Sequence, residues 1–128
     1  VEDSDDTLEL LGEYLMLEGY HSIMARSGAD ALKRLREICA DLIITDLHMP
    51  EMDGVTFVAE VRRTEETRTT PVIMMTASGA EQARAALEAA AVSVNRILTK
   101  PVSLGELVAA IEGLLQQVHA GTPKPPVR

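Results

Sequence analysis

Five polar residues in this chain have types and spacings that could support phosphoryl chemistry: Glu2, Asp3, Asp46, Thr76 and Lys100. The three carboxylates offer the hard oxygen ligands that Mg²⁺ prefers, and this ion often bridges protein carboxylates to phosphate. An ammonium group and a hydroxyl could bind the remaining phosphoryl oxygens, and an aspartate in such a setting can be a nucleophile that forms an aspartyl-phosphate. Because converging carboxylates repel one another, a cation would have to neutralise them before a phosphoryl group could approach.

Taken one at a time, these residues all have an ordinary structural interpretation. Asp46 could form a turn, Thr76 could be a strand former, and Lys100 could be a solvated charge. Glu2 and Asp3 could simply cap the first helix. The chemical interpretation therefore depends on whether the fold brings the five side chains together.

The elements that would position them alternate along the chain. Short apolar runs are separated by longer segments of helical period, which predicts an α/β fold with a parallel sheet covered by helices on both faces. Strands are predicted over 20–25, 41–46, 71–76 and 94–99, and helices over 5–18, 28–39, from 54, from 78 to about 91 and from 103 to 118. The last two helices open with the spacing of a capping box, at 78–81 and 103–106.

The first helix lacks a preceding strand, since only Val1, Glu2 and Asp3 come before it. Loss of a central strand would leave two sheet edges unpaired, so we predict that the first strand is truncated or missing in this chain. Ligands of such folds bind outside the carboxyl ends of the strands. Asp46, Thr76 and Lys100 are therefore expected to share one edge of the sheet with the two amino-terminal acids.

Composition limits the classes of function. The 128 residues suit a single domain, and 20 acids against 12 bases give a net charge of −8, which argues against a direct nucleic-acid surface. No apolar run is long enough to span a membrane and no signal peptide opens the chain, so we predict a cytoplasmic protein. The single cysteine, Cys39, cannot form an internal disulfide and is expected to be a small buried apolar residue.

The motifs around these residues resemble the receiver domain of two-component response regulators. The most specific is Asp-Leu-His-Met-Pro-Glu-Met-Asp-Gly over 46–54, which is similar to the phosphoacceptor loop of that family, and 1–3, 27–32, 71–77 and 98–101 support it. The resemblance covers 1–118, the predicted domain, and leaves 119–128 as a Pro-rich tail or linker. It implies a doubly wound, flavodoxin-like sheet of five parallel strands in the order 2-1-3-4-5.

The resemblance also implies a role for each polar residue. Asp46 would accept a phosphoryl group from a histidine kinase or a histidine phosphotransfer protein, and Thr76 and Lys100 would bind its oxygens. Gly54 would let the loop after Asp46 turn back into its helix. Enzymatic activity would extend at most to self-phosphorylation from donors and slow autodephosphorylation. Mg²⁺ would be held by four groups: Glu2, Asp3, Asp46 and the backbone carbonyl of His48.

Signalling would follow from the charge that phosphorylation adds. Thr76 and Ile97 would form the switch, although the family usually has an aromatic residue at the position of Ile97. The stretch from Thr76 to Lys100 is about two residues longer than is usual in the family, and Ala90-Ala91-Val92 stands where a Gly-Ala pair is common. The switched surface would act on a downstream effector domain or protein, and a homodimer is allowed.

Three alternatives stay open from the residues. A Mg²⁺-dependent phosphohydrolase similar to the haloacid dehalogenases would also use Asp46 as a nucleophile, but it needs a second aspartate where this chain has His48. A docking module that works without phosphorylation is compatible with the altered output face. A flavodoxin-like cofactor binder is disfavoured, because only two tyrosines and one phenylalanine are available to sandwich a flavin.

Overall fold

A computed structural model describes residues 5–17, 19, 23, 25, 27–48, 52–77, 79–100 and 103–118. Five α-helices and three β-strands alternate over these ranges, and a single 3₁₀ turn, Glu65–Thr67, follows the third helix. The elements in chain order are α1 (Asp5–Leu17), α2 (Gly28–Glu37), β1 (Ile43–Asp46), α3 (Gly54–Arg63), β2 (Val72–Thr76), α4 (Ala80–Ala89), β3 (Arg96–Thr99) and α5 (Leu104–Val118). None of the described helices has the length and apolar character that a membrane span requires.

The three described strands form one parallel sheet in the order β1-β2-β3. Ile43 pairs with Val72 and Asp46 with Met75, while Thr76 pairs with Thr99 of β3. Every residue of β1 and β2 is buried, as their continuous apolar runs predict. The α/β class and the parallel sheet are confirmed. The predicted truncated first strand lies outside the described residues, as does most of the predicted strand 20–25.

Side chains that alternate along the strands build a separate apolar core on each face of the sheet. The first core joins Ile44, Ile73 and Met75 to α1 and α5, and the second joins Ile43, Val72 and Met74 to α3 and α4. The helices contribute their apolar stripes to these cores: Leu15 of α1 and Leu107, Ile111, Leu114 and Leu115 of α5 to the first, and Phe57, Val58 and Val61 of α3 with Ala83 and Leu87 of α4 to the second. The sheet is therefore clamped between two helical layers, which fixes the positions of its strand ends.

Side-chain oxygens cap the amino-terminal ends of three helices. Ser27 accepts from the backbone N–H of Asp30 at 3.1 Å in α2, and Asp53 accepts from that of Thr56 at 2.8 Å in α3. Ser103 accepts from Glu106 at 3.1 Å in α5, so the second predicted capping box supplies its expected hydrogen bond. The prediction for α4 was wrong in its starting point. That helix begins at Ala80 with Gly79 as its N-cap residue, and Ser78 lies outside the described residues.

The predicted burial of Cys39 was wrong, since this residue is exposed. The helix α2 ends at Glu37, two residues earlier than the pattern predicted, and Ile38 adopts an extended conformation. Ile38 is half-buried, and Cys39 lies beyond the end of the helix with its side chain exposed.

The carboxyl-terminal end of α4 is closed by a Schellman motif. The backbone N–H of Val92 donates to the Leu87 carbonyl at 2.9 Å, and that of Ala91 donates to the Glu88 carbonyl at 3.1 Å. Ala91 has φ of 55°, the left-handed conformation that this motif requires and that glycine adopts most easily. The fold therefore places an alanine where its Cβ is strained.

Ala91→Gly is expected to raise the free energy of unfolding by about 1 kcal/mol, because it removes the strain of a left-handed alanine. Urea denaturation of the two proteins measures the difference. Ala90→Gly is the matched control, because Ala90 has a right-handed conformation and its replacement should destabilise by about 0.5–1 kcal/mol. Equal losses of stability in both variants would contradict the left-handed assignment.

Candidate functional site

Asp46 is the last residue of β1 and lies at the carboxyl edge of the sheet. The backbone N–H of the next residue, Leu47, donates to the carbonyl of Met75 at 2.9 Å, so the strand pairing holds up to the point where the Asp46 side chain leaves it. Asp46 is 6% exposed. It is two residues beyond Ile44 and therefore shares the sheet face covered by α1 and α5.

Lys100 forms an ion pair with this nearly buried carboxylate. Its Nζ lies 2.6 Å from Oδ2 of Asp46, with side-chain exposures of 30% for the lysine and 8% for the aspartate. The backbone N–H of Lys100 also donates to the Thr76 carbonyl at 2.7 Å. Lys100 thus connects the ends of all three described strands, and its charge faces the group on which negative charge would accumulate.

Thr76 ends β2 beside this pair. Met75 is the register partner of Asp46, so Thr76 lies one residue further along the neighbouring strand, and it is fully buried. Ile97 is half-buried in the second core, and its register partner Met74 is two residues before Thr76. The two predicted switch residues therefore belong to the same face of adjacent strands, the face covered by α3 and α4.

Gly54 packs directly against the backbone of Asp46. Its N–H donates to the Leu47 carbonyl at 2.7 Å, and a Cβ at this position would collide with the Asp46 carbonyl oxygen and reach 3.0 Å from the Leu47 Cα. Because backbone atoms cannot turn aside as a side chain can, only glycine fits here. The loop returns to the sheet at this contact, which agrees with the role that the motif implies for Gly54.

Two further contacts around Asp46 were missed by sequence reasoning. The fully buried Thr45 hydroxyl donates to the Asp46 carbonyl at 3.1 Å. The side chain of Met52 packs so closely on Gly28 that a Cβ there would lie 2.7 Å from its Sδ, which joins the loop after Asp46 to the start of α2. A threonine inside an apolar strand and a methionine in a turn carry no pattern that distinguishes these contacts from ordinary packing.

The residues predicted to hold a metal are described only in part. Asp46 and His48 are described, and His48 is exposed, whereas Glu2 and Asp3 lie outside the described residues. Among the residues that the structure covers, no three histidine, cysteine or acidic side chains are grouped as metal ligands. The carboxylate of Asp46, which lies beside the Lys100 ammonium, is nearly buried. A nearly buried carboxylate is an oxygen donor of the kind that a hard cation prefers.

Comparison with known proteins identifies the family. Residues 1–112 match the model of the response regulator receiver domain, so this chain belongs to the family of response-regulator receiver domains. The transcriptional regulatory protein GlrR of Escherichia coli K12 is 40% identical over 122 residues, which cover 95% of this chain and 27% of GlrR. The chain therefore spans about a quarter of the length of this relative.

Solved structures support the same fold. The receiver domain of a signal transduction histidine kinase from Syntrophus aciditrophicus matches with a TM-score of 0.84 and 30% identity, covering 97% of this chain and 92% of that one. The receiver domain of the sensor histidine kinase PA1611 from Pseudomonas aeruginosa PAO1, which has a magnesium ion in its active-site cleft, matches with a TM-score of 0.77 and 27% identity over 91% of both chains. The predicted flavodoxin-like fold class is confirmed, and the protein has the phosphoacceptor domain of two-component signalling.

Proposed function

We propose that Asp46 is the phosphoacceptor of this receiver domain. The observation that carries the proposal is the 2.6 Å ion pair between Asp46 and Lys100 at the carboxyl edge of the sheet. This carboxylate is held at the end of a strand and is screened from bulk water. It faces the Lys100 ammonium, which can bind first the carboxylate and then the phosphoryl group attached to it. Neither the phosphohydrolase nor the phosphorylation-independent module has an observation in its favour.

The reaction is a transfer of one phosphoryl group. An oxygen of the Asp46 carboxylate attacks phosphorus, an O–P bond forms, and the N–P bond of a phosphohistidine breaks, so that the donor imidazole leaves and takes up a proton. Lys100 donates hydrogen bonds to the transferred oxygens, and the Thr76 hydroxyl supplies another donor. Later transfer of the phosphoryl group to water, which is autodephosphorylation, would end the signal.

The proposal includes Mg²⁺, because the converging carboxylates repel one another and require a neutralising cation. Glu2, Asp3, Asp46 and the backbone carbonyl of His48 would hold it, and the nearly buried carboxylate of Asp46 supports the assignment for Asp46. When bound, the ion would neutralise the carboxylates and stabilise the negative charge of the transferred group. The magnesium in the cleft of the Pseudomonas aeruginosa receiver domain is consistent with this choice.

The proposed partners are a histidine kinase or histidine phosphotransfer protein upstream and an effector domain or protein downstream. GlrR is named as a transcriptional regulator, so nucleic-acid binding in a complete protein of this kind would be the task of an effector region, in keeping with the acidity of this chain. The switch at Thr76 and Ile97, a homodimer, the cytoplasmic location and the domain boundary at 118 stay predictions.

Removal of Mg²⁺ is expected to prevent phosphorylation almost completely. Incubation with a small acyl-phosphate donor and Mg²⁺ should add one phosphoryl mass to the intact protein, because the donor needs no partner protein. The same incubation with EDTA should leave the mass unchanged, since the uncompensated acids repel the donor. Equal amounts of phosphorylated protein with and without EDTA would contradict the metal assignment. The assignment of Asp46 as the acceptor would not be affected by that result.

A further inference from the structure

Gly28, the first residue of α2, has no room for a side chain. A Cβ at this position would lie 2.7 Å from the Sδ and 3.1 Å from the Cγ of Met52, which belongs to the loop after Asp46. Positive φ occurs at Gly19 and Gly79, whereas the backbone conformation of Gly28 is one that any residue can adopt. Alanine would also favour the helix more than glycine does. Glycine is therefore required at position 28 for space and not for its conformational freedom.

The helix start that Met52 contacts is held in place by several interactions. Gly28 is buried, and the Ser27 side chain accepts from the Asp30 N–H at 3.1 Å. The Ala31 N–H donates to the Ser27 carbonyl at 3.0 Å, and the Ala31 side chain is buried in the second core. The start of α2 therefore gives Met52 a fixed surface to pack on.

The loop between β1 and α3 is fixed at both of its ends. Leu47 is buried at its start, and the Gly54 N–H donates to the Leu47 carbonyl at 2.7 Å at its end. His48, whose carbonyl is a proposed Mg²⁺ ligand, comes directly after Leu47 and has an exposed side chain. Met52 is half-buried and packs against the second core. Its contact with Gly28 joins the loop to α2, a helix that the loop does not itself enter.

A side chain at position 28 would displace Met52 without unfolding the protein. The nearest atoms belong to the flexible side chain of Met52, which can rotate away, whereas a Cβ at Gly54 would meet backbone atoms. The cost of a Cβ at Gly28 would therefore appear in the loop and not in the core. Without its contact with α2, the loop would hold the His48 carbonyl less firmly.

We propose that Gly28 and Met52 are positioning residues for the metal site, because their contact sets the place of the loop that carries the His48 carbonyl. This inference rests on the proposed function, and it extends the site to a helix that supplies none of the proposed ligands. Neither residue is itself a ligand, and each acts through the position of the loop. Groups that orient a metal ligand contribute strongly to metal affinity, so the contact is expected to strengthen Mg²⁺ binding.

A double-mutant cycle of Mg²⁺ affinity, measured by NMR titration without a phosphodonor, tests the contact. Gly28→Ala and Met52→Ala should each weaken Mg²⁺ binding by about tenfold, the lower end of the cost of losing a group that orients a ligand. The double variant should also lose about tenfold and not about a hundredfold, because the two Cβ atoms would then lie 3.4 Å apart, an ordinary contact. Additive losses, or unchanged affinity in Gly28→Ala, would overturn the inference.

The stability of the variants separates positioning from a general structural role. The urea midpoint of Gly28→Ala should stay close to that of the unmodified protein, since Met52 can move aside. A large fall of the midpoint together with the loss of affinity would show a merely structural role and overturn the inference. Gly105→Ala is the matched control, because Gly105 lies in the first turn of α5 and a Cβ there would meet nothing within 4 Å. Its Mg²⁺ affinity should be unchanged.

The backbone amide signal of His48 in the metal-free proteins keeps this test separate from that of the proposed function. If the contact sets the loop, this signal should move in Gly28→Ala and stay in place in Gly105→Ala. An unmoved signal in Gly28→Ala would overturn the inference. Failure of the unmodified protein to bind Mg²⁺ would contradict the proposed metal site, and the His48 signal would still decide whether Gly28 and Met52 position the loop.

Discussion

Asp46→Asn is expected to abolish uptake of a phosphoryl group from a small acyl-phosphate donor in the presence of Mg²⁺. The amide has the shape of the carboxylate but neither its charge nor its nucleophilic oxygen, so the O–P bond cannot form. Asp46 is nearly buried, and its Oδ2 lies 2.6 Å from the Nζ of Lys100. Intact-mass spectrometry of the treated protein measures the result.

Asp53→Asn is the matched control for this experiment. Asp53 lies in the same loop but is exposed, and it caps α3 by accepting from the Thr56 N–H at 2.8 Å, which asparagine can do equally well. This variant should take up the phosphoryl group as the unmodified protein does. Normal uptake by Asp46→Asn, or loss of uptake in Asp53→Asn alone, would contradict the assignment of the acceptor.

Gly54→Ala is expected to lower the free energy of unfolding by about 3 kcal/mol, at the upper end of the usual cost of overpacking. The added Cβ would collide with the Asp46 carbonyl and press on the Leu47 Cα, and both are backbone atoms of the strand end that carries the acceptor. Relief of the collision requires movement of the loop or of Asp46 itself. Phosphoryl uptake should therefore fall together with stability.

Gly105→Ala is the control for the Gly54 substitution. Gly105 lies in the first turn of α5, and a Cβ there would meet nothing within 4 Å, so alanine should raise stability by up to about 1 kcal/mol through its helix propensity. Guanidinium denaturation of the three proteins compares them directly. A Gly54→Ala protein as stable as the unmodified protein would contradict the close approach of Gly54 to Asp46.

The order of helices and strands in the sequence predicted much of the fold and part of the site. Apolar runs ending in Asp46 and Thr76 predicted two buried parallel strands, and the rule that ligands bind at the carboxyl ends of strands predicted that Lys100 would meet Asp46. Both expectations are confirmed by the register and by the ion pair. Element boundaries were less predictable, because the end of α2 and the start of α4 depend on local backbone geometry at Ile38 and Gly79.

Other features depended on three-dimensional contacts that leave no pattern in the sequence. Arg62 carries no pattern that distinguishes it from other arginines at helix ends, yet it donates to carbonyls in the stretch before β2 and to that of Ser93, 31 residues along the chain. Ala91 was noted as a departure from the family, but its left-handed conformation belongs to the Schellman motif that ends α4. Glu2 and Asp3 lie outside the described residues, so their role as ligands stays a prediction.

The most direct test of the central claim is to locate the phosphoryl group after treatment with an acyl-phosphate donor and Mg²⁺. Borohydride reduces an aspartyl-phosphate to homoserine, and peptide mass spectrometry then identifies the modified position. We expect homoserine in place of Asp46, and only in samples that received both donor and Mg²⁺. Homoserine at Asp41 or Asp53 instead, or at no position in a sample that contains folded protein, would contradict the account.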